Sequence, residues 1–368
     1  MKILFLPNWK VEYCNQIPTD KQPPDYYIKG QPYWFFRYFE NAPEVDVLDI
    51  TSFPWLERFE KNKIRFYIWQ ALRAIPKLNK YDLVISHGMQ SGVVISLWRR
   101  LFRTKSKHIV FDIGAFNSAA ESGAALKLMQ FASKSIDGII YHTSSQKNYY
   151  RDFFPWILPK SQFIRFGTDA AFFGSEPEEP QEGFSDHDAH NIPQSESTPY
   201  AICVGYNKRD WDTVVEAFRL AKPENLKLRL IGHVDERYKS IPYIEQLSFI
   251  PVDELIAQIK TSKIGILPLK SYNYSYGQMT LMQQMALGKC VITSRVPSLV
   301  DYAEDGKTAV FYEPENARDL ALKIMKVNDD PNHRAYIGKN ASLFIQNECN
   351  EVIMAKEIEA FLNTFSKA

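Results

Sequence analysis

Cysteine is scarce: four residues in 368 (Cys14, Cys203, Cys290 and Cys349), with no CxxC pair and no Cys/His cluster among them. That spacing argues against a disulfide framework and a cysteine-bound zinc, and it favours a reducing compartment. Long apolar runs are missing too; none approaches the roughly 20 residues a spanning helix needs. The chain opens Met1-Lys2 on a short apolar run ended by Pro7, which is expected to be a first strand rather than a signal peptide. Net charge is nearly absent, with 44 Lys+Arg against 43 Asp+Glu, so only a local cluster could hold a polyanion. No Gly-x-Gly-x-x-Gly follows an apolar run, which disfavours a nicotinamide dehydrogenase. No Asp-x-Asp pair stands out at a strand end, so no metal and no cofactor is expected. These absences fit a cytoplasmic protein, soluble or peripheral on the inner face of a membrane.

What is present is alternation. Short apolar runs at Lys2–Leu6, Val45–Ile50, Tyr81–Ser86, His108–Phe111, Gly138–Tyr141 and Gln162–Arg165 read as parallel strands, most of them separated by enough chain for a helix. A helix is predicted between Pro32 and Pro43, after a long Pro-rich loop containing Gly30. The alternation restarts at Tyr200–Val204, Lys227–Ile231, Leu247–Ile250, Lys263–Pro268 and Val310–Tyr312. The fold class expected is α/β, two doubly wound parallel-sheet domains of the Rossmann type facing a central cleft. In such sheets ligands bind beyond the carboxyl ends of the strands. His87, Asp112 and His142 fall at those ends, although a His or Asp there more often braces a loop than reacts.

Gly174–Ser197 carries seven acidic residues and no Lys or Arg, and reads as a linker over 174–198 between a first domain (1–173) and a second (199–344). Its His187 and His190, beside Asp186 and Asp188, could bind a metal, but solvated side chains explain them better. A C-terminal helix, about 345–368, is expected to rejoin the first domain. Two basic, aromatic segments, 54–80 and 97–108, offer either a solvated face or a surface for anionic lipid. No nucleic-acid motif accompanies them.

The most informative stretch is Ser275–Ser294, SYGQMTLMQQMALGKCVITS. Gly277 opens a helix, Met279, Met282, Met285 and Ala286 give an apolar stripe, and Gly288 ends it before a buried strand. A helix start behind a glycine turn presents free N–H groups and a positive dipole end, which suits a phosphate.

In order and spacing, residues 200 to 330 resemble the nucleotide-sugar domain of GT-B glycosyltransferases, in particular glycosyltransferase family 4. The resemblance is carried by Val204-Gly205 with Lys208-Arg209-Asp210-Trp211, by the strand ending at Gly232, by Ile250-Pro251-Val252, by the Gly277–Ser294 signature, and by Asp305-Gly306-Lys307-Thr308-Ala309. It implies that the backbone of Gln278, Met279 and Thr280 holds a donor diphosphate, that Lys208 and Arg209 neutralise it, and that Val252 contacts the base. It implies a hexose-type sugar moved from a nucleotide donor, UDP rather than GDP, to a glycan or lipid-linked acceptor in polysaccharide or glycolipid assembly. Retention of configuration and metal independence are implied as well. The first domain, with Gly30, His87 and His142, would take the acceptor. Ser275 and Gln283 stand where the family usually has two glutamates, which contact the sugar and the ribose; Gln278 is a substitute for the sugar contact. Asp112 aligns with the strand-end histidine many members place beneath the sugar. Asp112 as a general base with inversion, and a non-catalytic nucleotide-sugar-binding protein, stay open as alternatives.

Overall fold

The computed structural model describes residues 1–18, 21–64, 66–114, 116, 121–174, 198–205, 208–272 and 274–366; the predicted acidic linker, with its His and Asp residues, lies almost wholly outside these. The first half contributes β1 (Lys2–Leu6), β2 (Glu12–Cys14), β3 (Tyr26–Ile28), β4 (Glu44–Val47), β5 (Leu83–His87), β6 (Lys107–Asp112), β7 (Gly138–Tyr141) and β8 (Ser161–Phe163). The second half contributes β9 (Tyr200–Gly205), β10 (Lys227–Gly232), β11 (Ile244–Leu247), β12 (Ile264–Leu267), β13 (Val291–Ser294) and β14 (Val310–Tyr312). Two six-stranded parallel sheets result, ordered β4-β1-β5-β6-β7-β8 and β11-β10-β9-β12-β13-β14. Their central strands are buried along their whole length, as apolar runs covered by helices on both faces must be. Each order reverses once, beside β1 and beside β9, and crossovers there leave a crevice at the carboxyl ends.

Three local expectations change. The helix expected between Pro32 and Pro43 is only a short 3₁₀ turn, Trp34–Tyr38. Tyr33, Trp34, Phe35 and Phe36 are all buried, and four consecutive buried rings cannot share one stripe of an α-helix. The Pro-rich loop holds its own parallel pair, β2 with β3. The strand expected at Leu247–Ile250 lies three residues earlier, as β11.

The chain crosses between domains twice, along one line. Thr168 N–H donates to the Cys349 carbonyl at 3.0 Å, and Glu351 N–H donates to the Thr168 carbonyl at 3.1 Å. Gly167 lies so close that a Cβ there would sit 2.3 Å from the Asn350 carbonyl carbon. The return crossing thus falls at Cys349–Asn350 rather than near residue 345. Beyond it, helix Glu351–Ser366 places Met354, Ala355, Ile358 and Leu362 in the same apolar cluster as Ile3, Phe5, Ile85 and Phe111. Each of the larger side chains contributes about 1.5–3 kcal/mol if fully buried. Glu351 anchors the helix start: it accepts from Trp34 Nε1 at 3.0 Å and from Arg37, which also bonds Asp169 at 2.7 Å. Burial raises the Glu351 pKa to about 7, against the pull of Arg37.

Candidate functional site

Helix Gln278–Ala286 is held by Leu281, Met282 and Met285, all fully buried. Met279, expected in that stripe, is partly exposed at the helix start. Gly277 takes φ +82°, and a Cβ there would meet Leu269 Cδ1 at 2.5 Å, so the turn needs glycine. No side chain caps this end. The amides of Gln278, Met279 and Thr280 belong to the first helical turn, which has no intrahelical acceptor, and the dipole is positive there.

Arg209 is tied to the same helix start. Its Nε donates to the Val204 carbonyl at 2.8 Å and its Nη2 to Thr280 Oγ1 at 2.9 Å. Burial lowers its pKa from the ordinary guanidinium value, but arginine keeps its proton in proteins. Gly205, at the end of β9, makes this possible: a Cβ would stand 2.1 Å from Arg209 Nε. Gly232 pairs with Gly205 in register at the end of β10. Lys208, in a left-handed conformation at φ +58°, carries its ammonium 4.5 Å and 4.6 Å from the ring centres of Tyr272 and Tyr274 and bonds the Tyr274 hydroxyl. Tyr274 reaches across the cleft, since a Cβ on Gly114 of the first domain would stand 2.0 Å from Tyr274 Cβ.

Other expected donor-side residues are spread along the cleft. Gln278 is buried, and its amide nitrogen donates to Ser275 Oγ at 2.7 Å and to Thr143 Oγ1 of the first domain at 3.3 Å. Those bonds occupy the amide N–H groups of the expected sugar contact. Gln283 Nε2 donates to Gln22 Oε1 at 2.9 Å, again across the cleft. Val252 starts a helix and, with Phe249 and Ile250, lines a recess of ≈ 620 Å³ closed on the other side by Gln22 and Val11.

The first-domain residues divide differently. Asp112 is fully buried. Gly114 N–H donates to its Oδ1 at 2.9 Å, Gln146 Nε2 to its Oδ2 at 3.0 Å, and the Tyr150 hydroxyl bonds the same oxygen. Burial raises its pKa and these donors oppose the rise. These bonds tie Asp112 to the loop after β6 and to Gln146 and Tyr150. Gly30 sits in an exposed turn after β3 with nothing within 4 Å of where a Cβ would be; no contact gathers it with the two histidines. His87 is ringed by Phe5, Trp9, Trp34 and Phe111, and His142 stacks on Phe166 at 3.6 Å while its Nδ1 bonds the Ile164 carbonyl at 2.7 Å. Burial lowers their pKa values to about 3 and about 4, so both imidazoles are neutral at pH 7. Among the described residues neither Nε2 has a hydrogen-bond partner.

Sequence reasoning missed Gln22, Thr143 and the tyrosines. The Tyr-x-Tyr-x-Tyr spacing at 272, 274 and 276 was a visible signal; Gln22 carried none.

Residues 186–344 match the sequence model of the family described as Glycosyl transferases group 1. The capsular polysaccharide biosynthesis glycosyltransferase CapM of Staphylococcus aureus is 26% identical over 164 residues, a region spanning 42% of each chain. Among solved structures, Anabaena HepE in complex with UDP superposes with a TM-score of 0.69 at 14% identity, covering 99% of this chain and 100% of that one. Sucrose-phosphate synthase from Thermosynechococcus elongatus gives 0.68 at 18% identity, with 100% of both chains covered. The fold is GT-B: two parallel-sheet domains facing one cleft.

Proposed function

We propose that this chain is a glycosyltransferase moving a hexose-type sugar from a nucleoside-diphosphate donor, with uridine favoured as the base, to a glycan or lipid-linked acceptor. The observation that carries the reading is Arg209 fixed onto the uncapped start of helix Gln278–Ala286 through Thr280. A diphosphate seated there meets backbone N–H groups, a helix dipole and a fixed guanidinium. Those groups matter most as the glycosidic bond breaks and charge builds on the departing diphosphate, which is where preorganised donors accelerate a reaction. Lys208, held by Tyr272 and Tyr274, adds a second positive charge beside Arg209 in the chain. The enclosure of Asp112 by Tyr150, Gln146 and Gly114 engages the carboxylate an inverting step would use, and so supports retention with the leaving phosphate accepting the acceptor's proton. The likeness to HepE with bound UDP and to a capsular polysaccharide transferase supports the donor and acceptor classes. UDP at a thousand times its dissociation constant should stabilise the fold by about 4 kcal/mol in a thermal-shift measurement. No shift with UDP, GDP or any nucleotide sugar would reject the proposal.

The acceptor side carries a second expectation. No helix among the described residues is long and apolar enough to cross a membrane, but Trp55 and Leu101 are each 69% exposed and Phe59 and Phe102 about half. Near Leu101 the basic segment divides: Arg99 and Lys107 turn to Asp137, while Arg100, Arg103 and Lys105 stay exposed. Apolar rings with outward basic residues suit peripheral docking on anionic lipid at the inner face of a membrane, where a lipid-linked acceptor would be met. The protein should float with vesicles containing anionic lipid and release at high salt. Equal flotation with neutral vesicles would remove the electrostatic part of this docking.

A further inference from the structure

We infer that Tyr274 is a positioning residue: braced against Gly114 of the first domain, it holds the Lys208 ammonium where that charge serves the donor. The inference rests on the donor site proposed above. It gives a task to the Tyr-x-Tyr-x-Tyr run at 272, 274 and 276, which the proposed chemistry does not use.

The contacts of Lys208 are specific. Its backbone is left-handed at φ +58°, a conformation that a non-glycine residue keeps only where its surroundings hold it. The next residue, Arg209, pairs antiparallel with Leu269, and Asp210 N–H donates to the Pro268 carbonyl at 3.0 Å. This pairing lays residues 208–210 along the segment that leads into the tyrosines. The ammonium then lies 4.5 Å and 4.6 Å from the ring centres of Tyr272 and Tyr274 and donates to the Tyr274 hydroxyl. Ring faces attract a cation without taking up its protons. A lysine ammonium has three N–H donors, so one can serve Tyr274 and another a phosphate oxygen.

The tyrosines are themselves fixed. Tyr272 and Tyr274 stack at 5.3 Å, and Tyr276 stands 5.5 Å and 5.1 Å from them. The Tyr276 hydroxyl bonds the Lys270 carbonyl, and Tyr276 runs directly into Gly277 and the helix start. Tyr274 has a footing in the other domain as well. A Cβ on Gly114 would stand 2.0 Å from Tyr274 Cβ and 3.0 Å from its Cα, so the loop after β6 closes directly on this residue. Lys208 is thus placed by groups from both domains, whereas the bonds of Arg209 to Val204 and Thr280 lie within the second. Arg209 is aimed whether or not the domains meet; Lys208 is aimed when they do.

Calorimetric titration of the full chain with UDP tests this through a double-mutant cycle. Lys208→Met should weaken UDP about tenfold, the scale of one hydrogen bond to a charged group. Tyr274→Ala should cost about the same in the wild type, but less than about twofold once Lys208 is replaced. Tyr274→Phe keeps the ring and loses only the hydroxyl, and should weaken UDP by about threefold. Gly114→Ala, in the other domain, should weaken UDP at least about threefold with Lys208 present and less than about twofold without it. If that variant does not fold, the cycle between Lys208 and Tyr274 decides alone. Lys208→Met and Tyr274→Ala effects that simply add in folded proteins would overturn the inference and leave the donor site standing. A rise in UDP affinity in Tyr274→Phe would overturn it too, because the tyrosine would then be withholding the ammonium. If UDP does not bind the wild type at all, the donor-site reading falls and takes this inference with it.

Discussion

Replacing Arg209 with alanine is expected to lower kcat for sugar transfer by about 10²–10³-fold, the cost of removing one preorganised group that stabilises developing charge. The geometry explains why the loss should be this large. The guanidinium bonds the Val204 carbonyl and Thr280 Oγ1 together, so it is aimed before any ligand arrives and need not reorganise during the reaction. Lysine carries the same charge but cannot make both bonds from a planar fork, and Arg209→Lys should recover only part of the activity. A second substitution separates charge from position. Gly205→Ala leaves Arg209 in the chain but places a Cβ 2.1 Å from its Nε. Because the obstructed atom is the end of a flexible side chain, the guanidinium moves, while the backbone at φ +158° adds strain at the end of β9. Gly205→Ala should therefore lose transfer activity and UDP affinity nearly as Arg209→Ala does, with a melting temperature lowered by the backbone strain. Retained UDP affinity in a folded Gly205→Ala protein would show that the aim of Arg209 is unimportant.

Gly167→Ala should destabilise the protein by about 2–4 kcal/mol, measured by urea unfolding. Here the obstruction is main chain: the new Cβ would stand 2.3 Å from both the carbonyl carbon and oxygen of Asn350 and 2.6 Å from the Glu351 nitrogen. Neither crossing can retreat without lengthening the bonds between Thr168 and Cys349 or between Glu351 and Thr168. Those bonds sit next to the buried Glu351, whose contacts with Trp34 and Arg37 depend on the same spacing. A change below about 0.5 kcal/mol, the range of ordinary surface substitutions, would mean the crossings can separate cheaply.

The two sheets were legible because their strands are short apolar runs broken by polar strand ends, and burial on both faces leaves little else to write there. The residues of the proposed phosphate seat were legible for a local reason: Gly277, Thr280 and the following stripe are contiguous, and Gly205 with Lys208-Arg209 forms a second short block. What escaped was whatever depends on pairs far apart in the chain. Gln22 meets Gln283 and Thr143 meets Gln278, contacts that no local pattern encodes. Asp112 shows a second difficulty. A strand-end carboxylate invites a catalytic reading, and its bonds to Tyr150 and Gln146, 38 and 34 residues away, are not visible in any local pattern. The aromatic run at Trp34–Phe36 misled in a third way, because proline boundaries signalled a helix while continuous burial ruled it out.

The return of helix Glu351–Ser366 to the first domain has a consequence for how the protein is made. Domains usually complete as units in the order of synthesis. Here the first of the two domains to be translated lacks Met354, Ile358 and Leu362 from its apolar cluster, and Glu359 from the backbone amides of Glu40 and Asn41, until the second domain has been made. The second domain can close its sheet first, since its clusters draw on residues between Phe173 and Cys349. The half that emerges first is the half that finishes last, and a nascent chain stopped before residue 351 would expose unpaired apolar surface on its first domain rather than its second.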